Sequence, residues 1–395
     1  MSEPFALGVN FPWVACGHDF GARPPPWSGA GPTDWAALGE TLSELLALGA
    51  SVARFWILAG GVNYPVGADP ETLARRVPFL DPWPPWRRPV ERWRRRRDLP
   101  TRLAPGRRPT GPRGWLSRAA DELGFHPFDP AGAFPLPRAF LEDFESLLSA
   151  CERAGVRLLP SLVSFELFLP LERRRGGVLT RGRGAFVLGS RRRAFFERVL
   201  EPLLEVSERY RRSIYAWEIA NEPDWPASPG GARGPFGPRP PWVDPELMSG
   251  WLVEGARRVA ARGFRATVGF VRADPPWLSS GARRTLSELA EGGRYVHQLH
   301  HYPKPQAPRP LPPASASAIL PCLVGELPTA RAARWPDAGL AEDDDARYLE
   351  RRVALVEEQG YAGALLWSCR ATDGQTRWDD VTRAQLGRAA AKSAD

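Results

Sequence analysis

Eight short apolar runs punctuate the chain: FALGVNF (5–11), SVARFWIL (51–58), VRLLPSLVSF (156–165), IYAWEIA (214–220), ATVGFV (266–271), YVHQLHHY (295–302), PCLVGEL (321–327) and GALLWSC (363–369). Runs that stay apolar without alternating predict strands covered on both faces. Between them lie segments whose apolar residues recur at helical spacing, at 34–49, 138–154, 190–212, 244–262, 281–291, 343–359 and 380–392. Capping residues mark their starts, as at Thr33-Asp34 and Ser190, and glycines mark their ends, as at Gly49, Gly155, Gly263 and Gly360. Strands alternating with helices predict a parallel sheet, and eight such units close a (β/α)8 TIM barrel. The competing doubly wound sheet would carry a G-x-G-x-x-G turn after its first strand. The chain reads PWVACGHDFG there.

One unit is far longer than an ordinary strand-to-helix loop. A Pro/Arg/Trp-rich insertion runs from about 60 to 136, after the second strand, and a second Pro/Gly-rich loop, 224–243, follows the fourth. Both fall on the side where barrels place their active sites. With a Pro-rich, irregular link at 303–320 and no internal repeat, the 395 residues read as one catalytic domain, 1–395.

The net charge of +8 invites a nucleic-acid reading. Lys304 and Lys392 are the only lysines, so 51 of the 53 basic residues are arginine. That skew reads as base-composition bias, and nucleic acid is set aside as a partner. The first residues, MSEPFALGVNFPW, lack the basic start and apolar core of a signal peptide. No run reaches the roughly 18 apolar residues of a membrane helix. A cytoplasmic monomer without membrane contact is expected, with a secreted mature form, its leader removed, as the alternative. Cys16, Cys151, Cys322 and Cys369 form no C-x-x-C pair, and there is no H-E-x-x-H, so neither metal nor cofactor is expected. Cys16 and Cys369 follow strands that neighbour each other in a closed barrel, which permits a disulfide; reduced thiols are the default reading.

Chemistry concentrates where the strands end. Strand 1 ends near Asn10, with His18 and Asp19 beyond; strand 2 carries Arg54; strand 4 ends at Asn221-Glu222; strand 6 at His300-His301-Tyr302; strand 7 at Glu326; strand 8 at Trp367, with Arg370 and Asp373 beyond. Two glutamates facing each other across one mouth are what glycosidic bond cleavage needs: one attacks the anomeric carbon, the other protonates the leaving oxygen and then activates water. Their environments must differ so that one starts neutral and the other ionised. Arg54 and Tyr302 are expected to hold Glu326 ionised. Glu222 is expected to face the aromatic loop, where desolvation favours its neutral form.

At these residues the chain resembles glycoside hydrolase family 5 and its relatives, the cellulase- and mannanase-like retaining barrels. The resemblance rests on ANEPDW with Glu222, HHYP with Tyr302, LVGELP with Glu326, ARFW with Arg54 and LLWS with Trp367. It spans about residues 5 to 375 without the two insertions. It implies Glu222 as general acid/base and Glu326 as nucleophile. It further implies Asn221 on the 2-hydroxyl of the sugar being cleaved, Arg54 and Tyr302 orienting Glu326, His300 as the first residue of an H-x-Y, and Trp367 as an aromatic floor. Strand 3 departs from the family: SLVSFELF has Ser164, Phe165 and Glu166 where a histidine is usual, a place His18 or Glu166 would fill. Leu327-Pro328 stands where Phe-Gly is common.

Plainer roles compete. Arg54 also suits a buried ion pair with Glu218, which lies about 13 Å below Glu222 at strand pitch. His297 and His301 read as core, and His300 and Trp367 as either core or site. Trp225, Trp242 and Trp277 are subsite candidates near strand ends; Trp83, Trp86, Trp93 and Trp115 in the insertion would stack sugars or pack a lid. The function expected is a retaining hydrolase of β-linked glucan, mannan or a related oligosaccharide or glycoconjugate. The rivals are a transglycosylase using the same residues and a non-catalytic carbohydrate-binding barrel.

Overall fold

The structure is a computed structural model. It describes residues 4–11, 34–58, 136, 138–168, 172–173, 179–180, 186–190, 192–228, 230–234, 237–239, 241–302, 310–330, 347–369 and 378–394. The insertion at about 60–136 (Leu136 apart) and Cys16, His18, Asp19, Arg370 and Asp373 lie outside the described residues, as does the side chain of Glu166.

Eight parallel strands close a barrel: β1 Ala6–Asn10, β2 Val52–Trp56, β3 Arg157–Ser161, β4 Trp217–Asn221, β5 Ala266–Phe270, β6 Tyr295–His300, β7 Cys322–Pro328 and β8 Gly363–Trp367. Closure is made by β1 against β8, with Ala6 beside Gly363 and Val9 beside Leu366. The chief helices are α1 Trp35–Ala47, α2 Arg138–Ala154, α3 Glu201–Glu208, α4 Pro245–Ala261, α5 Ser280–Glu291, α6 Tyr348–Glu358 and α7 Asp380–Ala394. Asp34 caps α1 by accepting from the backbone of Ala36 and Ala37, and Gly49 beyond its end takes φ +84°. Leu38, Leu42 and Leu45 recur at helical spacing and bury one face of α1 in the layer between strands and helices. Each such side chain contributes about 1.5–3 kcal/mol of burial. No described helix is long and apolar enough to cross a membrane.

Four segments differ from the sequence expectation. The helix expected over 190–212 is a broken run: two single π-turns at Phe186–Ser190 and Phe196–Leu200, a short helix Arg192–Phe195, α3, and a 3-10 turn Arg211–Ser213. Four aromatic side chains crowd it, with Phe195 and Phe196 packing on each other and on Trp251 of α4, and Phe168 on Trp251 as well. Tertiary packing there overrides the helical period. Two small antiparallel hairpins, 172–173 with 179–180 and Gly230–Gly234 with Gly237–Arg239, stand in the loops after β3 and β4. β4 begins at Trp217, three residues after the apolar run starts.

The barrel interior changes character along its axis. At its lower end Val52, Leu159, Ala216, Val296, Leu323 and Leu365 form a small apolar cluster. Two residues on, one period of a strand, four of those positions become Arg54, Ser161, Glu218 and Gln298, all buried. The polar layer is therefore written into β2, β3, β4 and β6 by position, and it leads directly to the upper mouth.

Candidate active site

Arg54 organises the upper half of the barrel. It is 1% exposed. A guanidinium has five N–H donors, and five hydrogen bonds leave this one. Nε reaches Glu218 Oε2 at 2.5 Å and Nη2 reaches Glu218 Oε1 at 2.7 Å. Nη2 also donates to Asn221 Oδ1, and Nη1 to Asn10 Oδ1 and Glu326 Oε1, each at 2.7 Å. Burial opposes the charge, but Glu218 and Glu326 outweigh it and hold Arg54 firmly protonated. The ion pair with Glu218 and the contact with Glu326 thus exist together. Glu218 anchors the guanidinium from below while its other edge serves the mouth.

Glu326 arrives through a break in strand alternation. Gly325 already faces inward, since a Cβ there would lie 2.3 Å from Gln298. The next residue would ordinarily face out. The register shifts between Leu299 and His300 against β7, so that His300 pairs with Glu326 while Leu299 pairs with Val324. This bulge turns the Glu326 carboxyl inward. Besides Arg54, it accepts from Tyr302 Oη at 2.6 Å. Burial pushes this carboxyl up, against the opposing pull of His300, Arg54 and Tyr302. Arg54 and Tyr302 thus favour the ionised form of Glu326, as expected, and burial works against them. Their contacts are present, but removal from water is the larger effect. Burial, then Glu326, also holds the Tyr302 phenol protonated.

Glu222 stands opposite with φ +50°, the one non-glycine in the left-handed region among the described residues. Such a backbone costs about 1–3 kcal/mol and persists where its surroundings over-determine it. Here Glu222 N donates to Gly269 O at 2.7 Å and Glu222 O accepts from Trp225 N at 3.2 Å. Asp224 ties the turn to the next strand by accepting from Val271 N at 2.9 Å and Trp277 Nε1 at 3.2 Å. Burial pushes the Asp224 carboxyl up to about 6. The Glu222 carboxyl accepts from Trp225 Nε1 at 2.6 Å and lies 3.0 Å from His300 Nδ1. His300 Nδ1 is in turn 3.4 Å from Glu326 Oε1. One donor atom from each of Glu222, His300 and Glu326 falls within 4.8 Å of the others. That spacing also suits a metal ion, but Arg54 already places a full positive charge against Glu326.

The other expected residues fall as follows. Asn221 is buried, with Oδ1 on Arg54 and Nδ2 3.4 Å from Ser164 Oγ. Trp367 is half-buried and packs edge-on against Trp56, ring centres 5.0 Å apart. Trp225 is 47% exposed beside Glu222 and flanked by Phe165. Trp277 is not a subsite: it is buried against Phe270 with its indole bound to Asp224. His301 packs outward beside Arg352 Nη2 at 2.9 Å, and His297 is buried on Phe270 with Nε2 2.9 Å from Ala273 O. Cys151 and Cys322 are buried free thiols. Sequence reasoning passed over Trp56 and Gln298. Both lie two residues from a candidate on the same inward face, Trp56 from Arg54 and Gln298 from His300, so the period-two rule that placed the candidates also reaches them.

No known family profile matches the chain, and no curated protein sequence matches it. Solved structures do. The endo-1,4-beta-mannanase from Eisenia fetida is 14% identical over 98% of this chain and 91% of that chain, with a TM-score of 0.59. The beta-1,4-D-mannanase from Cryptopygus antarcticus is 15% identical over 98% of this chain and 90% of that chain, at 0.57. The beta-mannanase from the blue mussel Mytilus edulis is 14% identical over 98% of this chain and 91% of that chain, at 0.56. At this identity the likeness establishes the fold: the chain is a (β/α)8 barrel of the same architecture as these three proteins.

Proposed function

We propose that the protein is a retaining glycoside hydrolase acting on β-linked polysaccharide or oligosaccharide, with β-mannan the first substrate to test. One observation carries the reading: two carboxyls from opposite strands, Glu222 and Glu326, converge within 4.8 Å beside one imidazole. Retaining enzymes separate their carboxyls by about 5–5.5 Å, inverting ones by more. The two also differ in what touches them. Glu326 meets a guanidinium and a phenol. Glu222 is met by an indole and an imidazole that burial keeps neutral, its pKa lowered to about 4. A proton shared by the pair is better placed on Glu222, which leaves Glu326 the nucleophile.

In the first step Glu326 forms a bond to the anomeric carbon. The bond to the leaving oxygen breaks, and that oxygen takes the proton of Glu222. Glu222 then removes a proton from water, which attacks the same carbon and frees Glu326. Asn221 has its oxygen committed to Arg54, so its amide N–H groups are the ones a sugar hydroxyl would meet. Trp225 and Trp367 present aromatic surface for pyranose C–H faces. The solved mannanases of like fold make mannan the first candidate, with glucan as its competitor.

The test is turnover on β-mannan, β-glucan and aryl β-glycosides, then labelling with a 2-fluoro glycoside. Covalent label on the peptide bearing Glu326 is expected. Glu326→Gln should retain sugar binding and lose at least about a thousandfold in kcat. Label on another residue, or turnover surviving the substitution, would overturn the assignment.

A further inference from the structure

Beneath His300 lies Gln298, two residues back on β6 and buried inside the barrel. Its Nε2 is 3.3 Å from Glu218 Oε2 and 2.9 Å from His300 Nε2. An amide can be turned over, exchanging its nitrogen and oxygen. Here charge favours one orientation, which leaves Gln298 Oε1 buried without a hydrogen-bond partner. With the oxygen in the nitrogen's place, it would face the Glu218 carboxylate, acceptor against acceptor. The nitrogen therefore faces Glu218, and its second hydrogen points at His300 Nε2. A nitrogen that receives a hydrogen bond carries no proton. A neutral imidazole has a single N–H, and the fully buried His300 is held neutral. Its proton then sits on Nδ1, between Glu222 Oε1 at 3.0 Å and Glu326 Oε1 at 3.4 Å.

We propose that Gln298 is a positioning residue: it fixes His300 in the Nδ1–H tautomer, so that the imidazole donates to the two carboxyls from below. The backbone is built for this contact. A Cβ at Gly325 would stand 2.3–2.5 Å from the Gln298 side chain, and one at Gly269 would stand 2.7 Å from both Gln298 Nε2 and His300 Nε2. No L side chain fits either place while the pair is present. The order of contacts is Arg54 to Glu218, Glu218 to Gln298, Gln298 to His300, and His300 to Glu222. The anchoring charge pair deep in the barrel thereby sets the direction of a proton at its mouth. This is how second-layer hydrogen bonds select the tautomer of an active-site histidine. The catalytic consequence rests on the glycosidase reading; the tautomer does not.

The charged and titratable groups facing this pair are Glu218, Arg54, Glu222 and Glu326. The experiment is nitrogen NMR of the full-length protein with 15N-labelled histidine. The five histidines are separated by the signal lost in His300→Asn. Wild type should show His300 protonated on Nδ1 and bare on Nε2. In Gln298→Met, close in shape but without an N–H, the fixed tautomer should give way to a mixture. There kcat should fall about tenfold or more while KM moves little, by analogy with the outer partners of metal-bound histidines. A wild-type proton on Nε2 overturns the proposal. So does a Gln298→Met protein whose His300 tautomer is unchanged, even with reduced kcat, because that marks a merely structural glutamine. Should wild type turn over no β-glycoside, the glycosidase reading fails, and the tautomer measurement still decides the role of Gln298.

Discussion

The lower and upper halves of the barrel interior are built on the same strands and do opposite things. Below, Val52, Leu159, Ala216, Val296, Leu323 and Leu365 fill the interior with hydrocarbon. Above, the next inward positions hold Arg54, Ser161, Glu218 and Gln298, with His300 and Glu326 beyond them, all at or near complete burial. Apolar packing below gains from leaving water. The charged layer above loses by it, and stands because every Arg54 donor is matched and Glu218 grips it from beneath. A buried ion network of this kind is weak evidence of stability. Its retention in place of well-packed apolar side chains fits a role in directing charge toward the mouth.

The largest effect should come from breaking the upper layer alone. Arg54→Met strands Glu218 and Glu326 as buried unpaired charges, an expected loss of about 3–5 kcal/mol, together with activity. Urea unfolding would measure it. Adding Glu218→Met should restore part of that stability and none of the turnover, because a well-packed apolar pair replaces the lower charge pair while Glu326 stays without its cation. If the double variant were no more stable than the single one, Glu218 would not be the counter-charge described here.

A cut in the lower layer should do the converse. Leu323→Ala removes a side chain that is 1% exposed and should cost about 3 kcal/mol. Below the unfolding transition kcat should be preserved, since Leu323 touches neither carboxyl. A fall in kcat without unfolding would show that the halves are not separable.

The third test concerns the barrel wall. His297 and His300 share β6 but face opposite ways, one into the strand–helix layer and one into the mouth. Burial lowers His297 from 6.5 to about 4, with the charge of Arg283 pushing the same way. Between those values the unfolded chain binds the proton and the fold does not. Stability contributed by the neutral form is therefore present above pH about 6.5 and lost as pH falls toward about 4. The share of His297 is about 3 kcal/mol. His297→Phe should flatten unfolding free energy against pH over that window. An unchanged slope would place the acid sensitivity elsewhere, with His300 the first alternative.

Much of this was legible from one dimension because strands have a period of two and helices one of 3.6. Eight covered strands, the loop positions and the residues at the strand ends follow from those periods, and the structure brings Arg54, Asn221, Glu222, His300, Tyr302 and Glu326 to one mouth. The misreadings share a cause. Trp277 looks like Trp225 in sequence, yet one indole is tied to Asp224 inside the fold and the other stands 47% exposed. The helix expected over 190–212 breaks where aromatic rings from α4 and its own turns compete for the same space.

The barrel, the end of it where polar and titratable residues gather, and the residue types at that mouth were readable from the chain alone, because these depend on local periodicity and on which strands are covered. What those residues do to one another depends on the folded arrangement. Strict alternation would have turned Glu326 outward; a register shift against β6 turns it in. Burial outweighs Arg54 and Tyr302 in moving the Glu326 carboxyl, and the Gln298 amide, held by Glu218 from a strand 80 residues away, determines which nitrogen of His300 bears the proton. Such effects depend on distance and solvent exclusion among residues far apart in the chain, and no local pattern encodes them.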